Sequence, residues 1–338
     1  MKSINVSVVI PNWNNQESLE KCLDSLQSQS LTPHIIVVDN GSKDGSVDSV
    51  KNRYPAVELI VNPNNLGFAR AVNIGITQSI FRGDAFVALI NNDAVADHNW
   101  LQEMVRAIDK NQDLGIIASK MVSSDGAYLD STGEFYSVWG LPYPRGRGET
   151  SITQYDEQLE IFGASGGASL YRVKMLTKIG LFDKDFFAYY EDVDLSFRAQ
   201  LAGWKIRFCP EAVVYHQIGA TSKKINGFTT YQTMKNLPWL MWKNVPGAYL
   251  LKVLPRFKIA YFSFYASAWR RHQGWPATKG VLLSVTLAPK KIWQRHQIQN
   301  TKKVSDSYIW GIMTHDLPPN ALKLRSLRAK WQKVARRS

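Results

Sequence analysis

The sequence predicts an α/β fold with a mostly parallel central sheet flanked by helices. Over residues 5–220, short apolar runs alternate with segments of helical periodicity. One of those runs stops at Asp39 before a Gly- and Ser-rich turn, and another at Asn91-Asn92-Asp93. Strands separated by helices imply crossover connections, and crossovers make neighbouring strands parallel. The rest of the chain reads differently: residues 221–338 are basic, rich in Trp and helical in pattern.

The elements follow in order. Residues 6–10 form an apolar run closed by Pro11, the first strand. Residues 16–28 carry Leu19, Cys22, Leu23 and Leu26 at helical spacing. Residues 35–38 are the second strand, ending at Asp39 and the turn Asn40-Gly41-Ser42. Residues 57–61 are the third strand, and a helix opens at 67–79. A fourth strand, 85–90, ends at Asn91-Asn92-Asp93. Residues 100–108 are amphipathic, and 115–119 are a fifth strand. Residues 121–160, rich in Gly, Ser, Pro and Tyr, are expected to be loops and short strands over the site. Gly163, Gly166 and Gly167 mark a place for close backbone approach. Residues 189–202 open on acidic side chains, which suit a helix N-terminus, and Val193, Leu195, Phe197 and Leu201 form a partial apolar face. Residues 205–216 return to strand character.

Composition bounds the function. A chain of 338 residues with 45% hydrophobic and 20% charged content has room for one large folded domain and an appendage. Cys22 and Cys209 make no disulfide framework or metal knuckle, and no signal-peptide pattern is visible, so a reducing compartment is expected. The net charge of +13 is uneven: residues 1–220 hold 19 Lys and Arg against 26 Asp and Glu, whereas residues 221–338 hold 22 against 2. Those last residues also carry seven of the eleven Trp. Such a segment suits an anionic surface, membrane or nucleic acid. Its apolar Trp, Leu and Pro runs fit lipid better than base stacking, so no nucleic-acid partner is expected. Lys252, Arg256 and Lys258 break every window long enough to cross a bilayer, which points to helices lying in the membrane interface.

The candidate chemistry sits where a parallel sheet places it. Ligands bind outside the carboxyl ends of the strands. Asp39 and Asp93 both follow strands, and a carboxylate at such a point can accept hydrogen bonds from a nucleobase edge or hold a hard cation that bridges phosphates. Each feature also suits an ordinary role: Asn91–Asp93 a turn, Glu191-Asp192 a helix cap, His216 a strand end.

Together these residues resemble family 2 glycosyltransferases, inverting enzymes with a GT-A fold, over about residues 5–220. The ordered set carries the resemblance: Val8-Val9-Ile10-Pro11-Asn12-Trp13-Asn14, Val37-Val38-Asp39-Asn40-Gly41-Ser42, Asn65-Leu66-Gly67-Phe68-Ala69-Arg70, Asn91-Asn92-Asp93, Tyr190-Glu191-Asp192-Val193-Asp194, and His216. The subgroup it most resembles is the bacterial rhamnosyltransferases that extend lipid-linked sugars. The resemblance implies roles. Pro11 and Trp13 would line the nucleotide pocket, and Asp39 would bond the base. Asn65, Gly67 and Arg70 would approach the ribose and diphosphate. Asp93 would ligate Mg²⁺ or Mn²⁺, with His216 as second ligand or diphosphate contact. Asp192 would be the general base and Glu191 would shape its position. The usual Asp-x-Asp is here Asn91-Asn92-Asp93, one carboxylate fewer, which leaves Asn91 in the donor-binding set and most coordination to phosphate and water.

The expected organisation is a glycosyltransferase domain, 1–220, and a membrane-surface region, 221–338, on the cytoplasmic face of a bacterial inner membrane. The expected partners are a nucleotide-diphospho-sugar donor (dTDP-L-rhamnose), a polyprenyl-diphosphate-linked saccharide acceptor and an anionic membrane surface. Another hexose from a UDP or GDP donor is the alternative within the class. A non-catalytic scaffold is the rival outside it, and Glu191-Asp192 with His216 argue against it.

Overall fold

The computed structural model describes residues 5–217, 225–319, 321 and 325–326. The expected boundary at 220/221 lies outside the described residues. Two compact units are present: Met1–Glu134 with Pro144–Lys224, and Phe135–Tyr143 with Ile225–Ser338. The segment Phe135–Tyr143 thus groups with the later residues, which a single cut along the sequence does not capture.

In the first unit, β1 (Val6–Asn12), α1 (Gln16–Gln27), β2 (His34–Asp39), α2 (Ser46–Arg53), β3 (Glu58–Val61), α3 (Phe68–Phe81) and β4 (Phe86–Ile90) make the expected crossover series. Then come β5 (Ala94–Ala96), α4 (Trp100–Asp109), β6 (Leu114–Ser123) and β7 (Leu129–Ser131). The short β8 (Glu134–Tyr136) and β9 (Pro142–Pro144), which pair with each other, fall mostly in the segment Phe135–Tyr143 of the second unit. The series closes with β10 (Ala168–Arg172), α5 (Val173–Ile179), α6 (Glu191–Leu201) and β11 (Lys205–His216). The main sheet has the order β3-β2-β1-β4-β10-β6-β11-β5, with β7 beside β6. It is parallel from β3 to β4 and between β6 and β11. Strand β10 runs antiparallel to both its neighbours, β4 and β6.

Physical causes are plain in the core. Val8, Val9 and Ile10 are covered on both faces, as a central parallel strand requires. The α1 stripe Leu19, Cys22, Leu23 and Leu26 is fully buried, as its spacing predicts. Helix α3 approaches β1 so closely that a Cβ on Gly75 would lie 2.3 Å from Val9 Cγ1.

Four elements are absent from the sequence reading. Helix α2 buries only Ser46, Ser49 and Val50, so it has no apolar stripe to read. Strand β5 is three residues long, and α5 seven. Strand β10 follows directly on the glycine-rich loop, which masked it. Strand β6 also runs four residues past the expected end, through the polar pair Ser119-Lys120. Both are buried, Lys120 with its ammonium 2.7 Å from Asp156.

In the second unit, α7 (Phe228–Asn244), α8 (Gly247–Arg270), α9 (Gly274–Thr286), α10 (Ala288–Asn300) and α11 (Asp306–Ile312) follow in series. Met234, Ala268 and Ala277 form a small core there. Among the described residues, no helix is long and apolar enough to cross a membrane.

Candidate active site

Parallel register brings the ends of β1, β2 and β4 to one edge. Asn12 lies opposite Asp39, and the two are bonded, Asn12 Nδ2 donating to Asp39 Oδ2 at 2.8 Å. Asn92 Nδ2 in turn donates to Asn12 Oδ1 at 2.6 Å. These amides stitch three strand ends together. Asp39 is buried, and its own turn fills its carboxylate: Oδ1 accepts from the Gly41 (3.0 Å) and Ser42 (2.8 Å) amides, and Oδ2 also from the Ser42 hydroxyl. A carboxylate offers about four lone-pair positions. A base contact at Asp39 therefore has to share an oxygen with Ser42 or Asn12.

Pro11 and Trp13 are partly exposed beside this turn, and Asn14 and Asn15 take left-handed backbone (φ 57° and 74°) as the chain enters α1. On the other side, Asn65 Oδ1 accepts from the Gly67 amide at 2.8 Å. Gly67 itself (φ 83°, ψ 164°) sits in a region only glycine occupies readily. A Cβ there would lie 2.5 Å from the Phe187 ring. Arg70 is exposed on the first turn of α3.

The antiparallel pairing of β5 with β11 sets His216 opposite Ala94 and so beside Asp93. His216 Nε2 lies 3.2 Å from Asp93 Oδ1 and 3.4 Å from Asn91 Nδ2. Its Nδ1 is 2.7 Å from Asp130 Oδ2, and Asp130 is itself paired with Arg147 at 2.9 Å. Burial opposes charge on the imidazole, but the carboxylates of Asp130 and Asp93 outweigh it and push the pKa up to about 9. Asp93 Oδ1 is buried and receives no aligned hydrogen bond among the described residues. A carboxylate oxygen and an imidazole nitrogen thus face one spot, with the far ring nitrogen held by a second carboxylate, the usual arrangement behind a metal-bound histidine. No group of three or more His, Cys, Asp and Glu converges for a metal among the described residues. The pair fits a cation that takes its remaining ligands from phosphate and water, and binding at Nε2 would release the imidazolium proton.

The glycine-rich loop joins this cluster to the acidic helix start. The Gly167 carbonyl accepts from the Asn91 amide at 2.9 Å, and the neighbouring Gly166 amide donates to Asp192 Oδ2 at 2.9 Å. Asp192 Oδ1 accepts from Val193 N at 2.8 Å. Burial raises the Asp192 pKa above the usual aspartate value, although the Gly166 and Val193 amides pull the other way. Glu191 is more deeply buried than Asp192, behind the site surface. The approach to α6 is strained: Phe187, Tyr189 and Tyr190 all have positive φ (64°, 72° and 71°). Bulky residues hold such backbone only where the surroundings enforce it, and such strain clusters at active sites.

Asn91, Asp93 and His216 are therefore in mutual reach, Asp192 is two adjacent amides away, and Asp39 is linked through Asn12 and Asn92. Sequence reading missed Asn12 and Asn92 as stitches, Asp130 and Arg147 behind His216, and Glu134. Glu134 is buried, and burial with the nearby Asp192 charge pushes its pKa up to about 8. The signal was present as two acids bracketing Asp130-Ser131-Thr132-Gly133-Glu134 in otherwise weakly patterned sequence.

Residues 7–180 match the family described as Glycosyl transferase family 2. An N-acetylglucosaminyl-diphospho-decaprenol L-rhamnosyltransferase of Mycobacterium tuberculosis is 30% identical over 231 residues, spanning 62% of this chain and 75% of that protein. Among solved structures, S. aureus TarS 1-349 with UDP superposes with TM-score 0.53 at 18% identity, covering 94% of this chain and 95% of the other. GalNAc-T7 with UDP, GalNAc and Mn²⁺ gives TM-score 0.57 at 15% identity, covering 72% of this chain and 48% of that one. The likeness to both structures is one of fold. The chain belongs to glycosyl transferase family 2 and is a glycosyltransferase with an α/β, GT-A-like fold.

Proposed function

We propose that the chain transfers a sugar with inversion, L-rhamnose from dTDP-L-rhamnose, to a polyprenyl-diphosphate-linked saccharide at a membrane surface. The observation that carries the transfer is Asp192: a carboxylate of raised pKa, held by the Gly166 amide two backbone groups from the Asn91–Asp93 turn. The rhamnosyl donor and lipid-linked acceptor are supported by the name of the mycobacterial relative. Asp192 takes the proton from the acceptor hydroxyl as its oxygen attacks the anomeric carbon. The bond from that carbon to the diphosphate oxygen breaks, and the electron pair leaves on the nucleoside diphosphate. Attack opposite the leaving group inverts the centre. A raised pKa makes the carboxylate a stronger base toward the acceptor hydroxyl. Asp93 and His216 would hold Mg²⁺ or Mn²⁺, which would offset charge on the leaving diphosphate. Pro11, Trp13 and the turn built by Asp39 form the nucleoside wall, with Asn65, Gly67, Arg70 and Asn91 toward the phosphates. Glu191 supports Asp192 from behind.

The test is a donor screen that follows nucleoside-diphosphate release with several sugar nucleotides and a soluble lipid-linked acceptor analogue. Asp192→Asn should lower turnover by ~10²–10⁴-fold, the range for a general base, and leave nucleoside-diphosphate affinity nearly unchanged. Near-normal turnover in that variant rules out the assignment.

A further inference from the structure

We infer that the outward face of α8 docks on an anionic lipid surface, with its apolar stripe entering the interface and basic side chains on both flanks. The inference rests on the membrane-surface part of the reading above and is independent of the transfer chemistry. Leu251, Pro255, Ile259, Phe262, Ala266 and Trp269 are all exposed and recur at steps of three or four residues. At about 100° per residue they form one stripe about 80° wide. The exposure is large: 83% for Leu251, 58% for Ile259, 64% for Phe262 and 56% for Trp269. The opposite face, Val253, Phe257, Ala260 and Ala268, is buried in the second unit. The helix therefore already has its inner partner, and its outer apolar stripe is a second, separate surface.

Contiguous exposed apolar surface of this kind marks an interaction site. The charges decide what it meets. On the same helical projection Lys258 borders one side of the stripe, and Lys252, Arg256 and Arg270 border the other. Residues 221–338 hold 22 basic and only 2 acidic residues, so two copies meeting through this face would repel. An anionic leaflet supplies both missing partners, acyl chains for the stripe and negative headgroups for its flanks. The turn after α8 repeats the chemistry. Trp269 lies against Gly274, whose Cβ would be 2.3 Å from the ring, and Trp275 is exposed with Lys279 Nζ 5.3 Å from its ring centre. Trp beside Lys is the composition of a membrane–water boundary.

The experiment uses the full chain without sugar donor or acceptor, so failure here leaves the transfer reading standing. Vesicles of equimolar phosphatidylglycerol and phosphatidylcholine are compared with phosphatidylcholine alone by co-sedimentation. Both native cysteines are buried, so an environment-sensitive thiol probe labels Phe262→Cys selectively. Phe81→Cys, at a still more exposed position of the first unit, is the control. On anionic vesicles the probe at 262 should shift to the blue and be quenched by spin-labelled lipid, while the probe at 81 does neither. Combined Ile259→Ser and Phe262→Ser should weaken binding at least ~10-fold and leave a remainder that salt removes. Replacing Lys252, Arg256, Lys258 and Arg270 by Gln should also weaken it at least ~10-fold and abolish its salt dependence. Lys252 packs on the Tyr249 and Trp310 rings and Phe262 on Tyr261, so the fold of each variant is checked by circular dichroism. Equal binding to both vesicle types, equal response at 262 and 81, or a stripe-dependent dimer that ignores vesicles overturns the inference.

Discussion

Glu134→Gln should flatten the pH dependence of stability. Glu134 is 8% exposed, and burial together with the Asp192 charge raises its pKa from 4.5 to about 8. Between those values the folded chain keeps a proton that the unfolded chain has released. Stability then falls as pH rises, because the folded state binds more protons. The penalty is absent below 4.5 and complete above about 8. At about 1.4 kcal/mol per pH unit, the span from 4.5 to about 8 sets an upper bound of ~5 kcal/mol. Relaxation and water entry reduce such figures, so ~2 kcal/mol is the working expectation. Glutamine has the shape of the protonated acid and cannot ionise. Urea unfolding of the protein and the Glu134→Gln variant at pH 5 and pH 8.5 reads the effect of the Glu134 charge together with its reciprocal effect on Asp192. The variant should gain on the unmutated protein by ~2 kcal/mol between the two pH values. A constant difference across that range would show that Glu134 ionises normally, and the account of its burial beside Asp192 would fail.

Two further outcomes are expected. Asp130→Asn should weaken Mn²⁺ binding in the presence of a nucleoside diphosphate by ~10–100-fold, because it removes the carboxylate that orients His216. Calorimetric titration checks this, with Asp93→Ala as the direct-ligand comparison; equal affinity in all three proteins would dismiss the metal role. Gly67→Ala should destabilise by ~2–4 kcal/mol, from a backbone conformation closed to alanine and the Phe187 ring 2.5 Å from the new methyl. It should also lower turnover, since Phe187 begins the strained approach to Asp192 and its carbonyl holds the Ala69 amide. Unchanged denaturation and kinetics would mean that this segment has slack.

The sequence by itself determined the class of fold and the strand ends at which the candidate residues Asp39 and Asp93 lie. Periodicity exposes strands such as β1 and β4 because burial on both faces leaves only apolar residues there. Asp39 and Asn91–Asp93 were legible because parallel strands end on one edge, and the polar break in an apolar run marks that edge. The amphipathic α8 was legible only as alternating basic and apolar stretches. Which of its faces is buried depends on what the neighbouring helices cover.

Tertiary structure alone decided how the site's charges are arranged. His216 follows Asp93 by more than a hundred residues, and only the β5–β11 pairing sets their side chains 3.2 Å apart. Asp130 and Glu134 lie in sequence with weak periodicity, yet one orients His216 and the other is a buried acid near Asp192. Their roles depend on desolvation and on charges contributed by distant segments, and both are properties of packing. Asp39 is divided between the two: three of the four hydrogen bonds on its carboxylate come from its own Gly41-Ser42 turn, and the fourth, from Asn12, forms only once β1 and β2 lie in register. Local pattern records which face of an element avoids water. Proton affinity and ligand geometry depend on what the fold places across from each side chain.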